Sequence, residues 1–395
     1  MAGYDLRCEE STGVHDDLFV RSVVIGNQKL SCAICALDLL GVPREMVLNI
    51  RRRVSERIAM KAEAIQICAT HTHAAPQSVF REFACYDPAY QQWVEDVAVE
   101  TICCADAKKD DVNAAYAHKE VLGVGCYRDR VREESEHAMP CDVLWLKAQN
   151  SHRRDILLNV YACHPTVLNE GNRLITGDLV FGCAKRLAER FPHADVLFVN
   201  GACADVSTRF TRLASDYEEV ERLGAIWADA VPDADACTVL PTDRICYKSS
   251  TVFIPPARFF DSETKSQVLI HLQNKIDTCP DQQQKREYTA CRSVLVRDSY
   301  GTETGCYAEA SLLQIDRVAL CFLPFEYADV DAACLKDELT QKSGFNVVFG
   351  CYANGYEGYL PSGRPLDCDS GYEDIASPFR NDAKQILANA FRQLI

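Results

Sequence analysis

No apolar run in this chain approaches the roughly eighteen residues that a membrane-crossing helix needs, so no integral membrane segment is expected. Its start lacks the basic n-region and apolar h-region of a secretory signal, since Met1 is followed by Ala-Gly-Tyr-Asp. Basic charge is also short. The 42 Lys and Arg face 57 Asp and Glu, a formal net charge of −15. Nucleic acids and anionic membrane surfaces are bound through a basic footprint, so neither partner is expected. Proline and glycine are sparse, 15 and 19 in 395 residues, and no linker, internal repeat or low-complexity tract divides the chain. One domain over 1–395 is therefore expected. The helical H-E-x-x-H pattern is missing, and no G-x-S-x-G elbow surrounds Ser207. These absences set aside a helical zinc site and disfavour a conventional serine-hydrolase triad.

Cysteine, by contrast, is abundant. The 21 cysteines are an odd number scattered through a long chain, unlike the disulfide framework of a small secreted domain. Several lie in apolar runs, such as Cys163 and Cys321, where a thiol acts as a small core residue. Cys32 and Cys35 form a C-x-x-C, but on a strand they face opposite sides. This usage points to a reducing, cytoplasmic setting.

Apolar β-branched runs alternate with helical patterns along the chain, which predicts an α/β fold with a mixed β-sheet core flanked by helices. Five apolar runs lead into unusual polar residues: His71 and His73, His164, Asp205 and Ser207, Glu326, and Tyr356 and Tyr359. Ligands of open α/β sheets bind outside the carboxyl ends of strands. His71 and His73 would share a face if their strand extends that far. A catalytic zinc takes three or four N and O ligands with one position open, and His71, His164 and Glu326 would suffice. His118, His137, His152, His193 and His271 lie in polar or helical contexts and receive no role. His15 either orients a turn or lines the site. Asp178 and Asp205 read as helix caps or loop anchors, and Asn354 and Tyr356 as a turn ahead of Tyr359. A carboxylate such as Glu326 at the end of an apolar strand is costly unless partnered.

At THTHAAP (70–76) the sequence resembles the neutral/alkaline ceramidase family, whose signature there is A-T-H-T-H-S-G-P. The likeness continues in the family's order through GVHDDLFVRSVVI, CALDLLGVPREMV, CHPTVLNEGNRLITGD, NGACADVS, FLPFE, NGYEGYLPS and GYEDIASPF. It implies a ceramidase-like catalytic domain that cleaves an N-acyl (amide) bond of a small N-acylated substrate with a Zn2+-activated water. The implied zinc ligands are His71, His164, Glu326 and Tyr359. His73, Arg128, Ser207 and Tyr372 would surround the scissile amide, with Arg130 competing for the place of Arg128. His73 would shuttle protons, having an ordinary pKa near working pH. Tyr372 and Arg128 would donate to the oxyanion or a substrate hydroxyl, and Ser207 would either position water or attack. Two other readings stand beside this one: a serine-dependent hydrolase with structural or no metal, and a non-catalytic lipid- or peptide-binding homologue. The family's first strand before MAGY and the immunoglobulin-like C-terminal domain of larger ceramidases are absent from the sequence. THTHAAP and CADVST depart from the family's S-G-P and G-D-V-S-P, at positions that bear on the acyl pocket more than on the metal.

Overall fold

The computed structural model describes the chain except residues 5–6, 8, 80–85, 129–137, 242–243, 257–261, 297–304 and 364–370. Among the described residues three main sheets carry the fold. The first joins β1 (Val20–Gly26), β2 (Ser31–Leu37) and β3 (Ile65–Ala69), with β1 antiparallel and β3 parallel to β2. The second is built from β4 (Val112–Val121), β5 (Met139–Ala148), β6 (Asp155–Tyr161), β7 (Ala194–Asn200) and β8 (Thr238–Leu240), in the order β7-β6-β5-β4-β8. The third runs β9 (Ile245–Ile254), β10 (Cys306–Ile315), β11 (Val318–Phe322) and β12 (Asn346–Gly350). Parallel pairs β2–β3, β6–β7 and β11–β12 sit among antiparallel ones. The mixed α/β class expected from the alternation is what forms, distributed over several sheets rather than one.

Main-chain bonds continue and join the sheets at the carboxyl ends of their strands. Gly201 N donates to Tyr161 O and Leu323 N to Gly350 O, each within one sheet, while Cys351 N donates to Asn200 O across two. Ala69 N donates to Tyr352 O, and Asn354 N to Ile67 O. Buried polar backbone must find such partners, and here the pairing brings the ends of β3, β6, β7, β11 and β12 to one place. Strands β3 and β11 are buried at every position, as strands covered on both faces should be.

Helices α1 (Arg44–Arg57), α2 (Pro88–Ala107), α3 (Leu179–Arg190), α4 (Tyr217–Ala230), α5 (Ser262–Thr278), α6 (Gln282–Val296), α7 (Asp329–Ser343), α8 (Tyr372–Ala376) and α9 (Ala383–Leu394) accompany the sheets. Asp87 caps α2 by accepting from Ala89 N and Tyr90 N, with Pro88 at its first position. Helices α5 and α6 share a small separate core with α8, made of Val268, Leu272, Cys291, Val294, Leu295 and Ile375.

Helices α3 and α4 touch backbone to backbone. A Cβ on Gly182 would lie 2.3 Å from Val220 O, and one on Gly224 would lie 2.3 Å from Gly182 C. A peptide group cannot move aside as a flexible side chain can, so the helices must separate. Gly182→Ala is expected to lower stability by about 2–3 kcal/mol, read as a lower denaturant midpoint at unchanged slope.

Candidate metal centre

Both imidazoles that head the cluster are oriented by carbonyls. His71 Nδ1 lies 2.7 Å from Leu40 O, and His164 Nδ1 lies 2.7 Å from Cys203 O and 3.0 Å from Val206 O. A carbonyl can only accept, so each Nδ1 carries the proton and each Nε2 presents a lone pair. Those lone pairs point at one carboxylate. His164 Nε2 is 3.1 Å, and His71 Nε2 is 3.6 Å, from Glu326 Oε2. His73 Nε2 is 3.1 Å from His71 Nε2. One ring nitrogen from each of His71, His73 and His164 falls within 4.8 Å of the others. His71, His164 and Glu326 are at most 2% exposed.

Protonation does not resolve this crowding of lone pairs. Burial pushes His71 down to about 4, and it lowers His164 and His73 as well. The cluster is thus a set of neutral donors around one carboxylate, an arrangement that asks for a cation. The spacing suits zinc. Zn–N bonds of about 2.0–2.1 Å in a tetrahedron put donors about 3.4 Å apart, and the observed 3.1 and 3.6 Å bracket that.

His71 does not continue β3, which ends at Ala69. It has a left-handed φ of 66°, and its N–H donates to Leu39 O. His71 and His73 therefore converge through a turn rather than through the pleat of an extended strand. Their approach stores backbone strain of the kind found at functional sites. The near-neutral pKa expected of His73 does not hold either. Burial and the neighbouring His71 and His164 push it well below the ordinary value. Its Nδ1 is buried and has no hydrogen-bond partner among the described residues.

Tyrosines close the far side. Tyr356 Oη donates to Glu326 Oε1 at 2.5 Å, and burial beside that carboxylate raises its pKa far above the ordinary value. Tyr352 stacks on His71 with ring centroids 4.1 Å apart, and its Oη lies 3.5 Å from Glu326 Oε2. Tyr359 is bridged to Glu326 through the backbone, and its Oη accepts from Arg128 Nη2 at 3.2 Å. Arg128 Nη2 also donates to Ala204 O and pairs with Glu373 Oε1 at 3.2 Å. Burial disfavours the guanidinium charge, but Tyr359 and Glu373 outweigh it and raise the Arg128 pKa. Arg128 Nε is buried and without a partner among the described residues. Tyr372 packs edge-on against Tyr359 at 5.7 Å.

Ser207 is buried beside this group, paired through the backbone with Cys126. Its Oγ accepts from Arg209 N at 3.3 Å, and among the described residues no imidazole bonds to it. Asp178 caps α3 through Leu179 N and also holds Val167 N and Leu168 N. Asp205 caps α7 from a distance, its Oδ1 accepting from Asp329 N at 2.6 Å. His15 stacks on Tyr217 at 3.6 Å and pairs with Asp16. Arg130 and His137 lie outside the described residues.

Several contributors carry no sequence signal of their own. The carbonyls of Leu40, Cys203 and Val206 act through backbone geometry. Tyr352 hides in an apolar strand exit. The Met1–Tyr4 segment packs on His73: the Tyr4 ring lies 5.0 Å from it, and a Cβ on Gly3 would fall 2.5 Å from His73 Cγ. Arg7 Nη1 donates to His73 O at 2.7 Å.

The profile of the family described as neutral/alkaline non-lysosomal ceramidase, N-terminal, matches residues 1–204. Curated proteins yield no sequence match. Among solved structures the chain is similar to a ceramidase complexed with C2, at 14% identity and a TM-score of 0.76, covering 100% of this chain and 73% of that one. It is likewise similar to the crystal structure of neutral ceramidase from Pseudomonas aeruginosa, at 15% identity and a TM-score of 0.76, covering 100% and 71%.

Proposed function

The chain belongs to the neutral/alkaline non-lysosomal ceramidase family, and from that premise we propose that it is a zinc-dependent amidohydrolase cleaving the N-acyl bond of a small linear amide. One observation carries the metal: two carbonyl-locked imidazoles aim their unprotonated nitrogens at the same buried carboxylate oxygen. His71, His164 and Glu326 would hold the ion. Tyr359 would complete the set: burial and Glu326 raise its phenol well above the ordinary pKa, Arg128 opposes them, and a bound cation would add to the pull of Arg128 toward the phenolate that a ligand must become. Zinc, when bound, acidifies a water and polarises the amide carbonyl.

The remaining residues bind, orient and move protons. Among the described residues Arg128 Nε–H has no partner, and it would donate to a substrate carbonyl or hydroxyl oxygen as negative charge develops. Tyr372, against Tyr359, borders the same space. His73, whose Nε2 lies 3.1 Å from His71 Nε2 on the side of the cluster, would carry the proton released during attack to the leaving amine. Ser207 would position substrate or water, since among the described residues no imidazole is bonded to it to act as its base. The eighteen described cysteines are free, which suits a reducing, cytoplasmic setting. Among the described residues no helix is long and apolar enough to cross a membrane.

Metal content by plasma mass spectrometry tests this reading. Wild type should hold about one zinc per chain and hydrolyse members of an N-acyl amide series. His164→Ala should lose both. A protein that stays metal-free after zinc addition defeats the proposal, while metal-independent turnover abolished by Ser207→Ala would install the serine-dependent reading.

A further inference from the structure

We infer that Asn354 is a positioning residue that sets the two site tyrosines, held in place by a buried ion pair, Arg51–Glu309; this deepens the metal-amidase reading and rests on it. Asn354 is 2% exposed and sits at a left-handed φ of 64°. Its N–H donates to Ile67 O at 2.7 Å, and its Oδ1 accepts from Ile67 N at 3.0 Å. One residue thus satisfies both backbone groups of a single position on β3. Its Nδ2 donates to Gln66 Oε1 at 2.7 Å and reaches Glu309 Oε1 and Ser311 Oγ, each at 3.2 Å. Ser311 Oγ donates to Gln66 Oε1 at 2.7 Å. Arg51 grips Glu309 with two bonds of 2.7 and 2.9 Å and spends its Nε–H on Ile65 O.

A left-handed turn needs nothing so elaborate, because glycine adopts that conformation freely and glycine already follows at 355. Five buried polar side chains from α1, β3, β10 and the loop after β12 are costly unless every member is matched. What the network adds is register. Four residues beyond Ile67, the same chain delivers His71; two and five residues beyond Asn354, it delivers Tyr356 to Glu326 and Tyr359 to Arg128. Gly355 and Gly358 have φ of 155° and 80°, so the intervening chain has little stiffness of its own. Asn354 touches none of the reacting groups and acts on them through that loop.

The test is a swap. Asn354→Asp keeps the acceptor for Ile67 N but turns an oxygen toward Gln66 Oε1 and Glu309 Oε1. Adding Glu309→Gln returns one amide and one carboxylate to the pair, with Arg51 still beside them. Asn354→Asp should lower kcat on an N-acyl amide about 100-fold with KM within about threefold, the scale of a small misplacement of reacting groups. Amide hydrogen exchange across 355–360 should quicken at least about tenfold, and the double variant should recover about tenfold of each. Asn354→Gly, which accepts the backbone angle without the side chain, carries the same test should the aspartate variant not fold. A folded variant with unchanged turnover and unchanged exchange overturns the inference, as does a double variant that is merely additive. If wild type proves to have no metal and no hydrolytic activity, the functional reading fails, and the exchange data still decide whether Asn354 holds the loop.

Discussion

Glutamine in place of Glu326 is expected to abolish hydrolysis while raising the melting temperature of the metal-free protein. Without a cation the cluster has two poor choices. It takes up a proton against the burial that pushes His71 down to about 4, or it leaves a carboxylate facing two lone pairs with the Tyr356 hydroxyl as its close donor. Either state is expensive at 2% exposure. A glutamine amide removes the charge and supplies an N–H for His164 Nε2. Zinc reverses the ranking. A ligand at one hundred times its Kd stabilises wild type by about 2.7 kcal/mol, and the variant, short of an anionic donor, gains less. Loss of several kcal/mol of charge stabilisation in the transition state corresponds to about a thousandfold or more in rate. Paired melts with chelator and with zinc check the crossover. A variant that melts below wild type in chelator would show that the cavity was not built around a cation.

The second large effect belongs to Arg128. Its guanidinium holds Glu373, Tyr359 and the Ala204 carbonyl together. Arg128→Met leaves a carboxylate and a phenol without that partner. The expected loss of stability is about 2–3 kcal/mol, below the roughly 3–5 of a fully buried pair, because Glu373 keeps 20% of its side-chain exposure. Turnover should fall by about a hundredfold or more, the scale of losing one donor to a developing oxyanion. Adding Glu373→Gln removes the orphaned charge and should restore most of the stability but none of the turnover. Denaturant titration beside steady-state kinetics separates the two, and joint recovery would make Arg128 a structural residue alone. Arg128→Lys should not substitute, since one ammonium cannot reproduce the planar fork.

The ends of apolar strands were readable as places where chemistry gathers, because a run such as AIQICA has no reason to terminate in THTH unless those side chains are used. Glu326 stood out for the same reason, a carboxylate behind VALCFLPF. The left-handed turn at His71 was not readable, since histidine has no strong preference for it and the cause lies in pairing to Leu39. Helix α7 went unpredicted: DVDAACLKDELTQKS buries only Asp329, Ala332, Leu335 and Leu339, too thin a stripe to register as helical periodicity. Its cap comes from Asp205, more than a hundred residues away, which no local pattern reveals. Asn354 read as a turn residue, and it is one. Its tie to Arg51 and Glu309 depends on β10 lying beside β3, a tertiary fact.

The carbonyls that orient His71 and His164 are supplied by Leu40, Cys203 and Val206, three residues whose side chains take no part in the task. Mutation can rewrite those side chains without disturbing the tautomers, provided the chain path survives. Selection at such places acts on shape rather than spelling. A lineage built this way can drift to 14–15% identity with proteins whose fold it still shares.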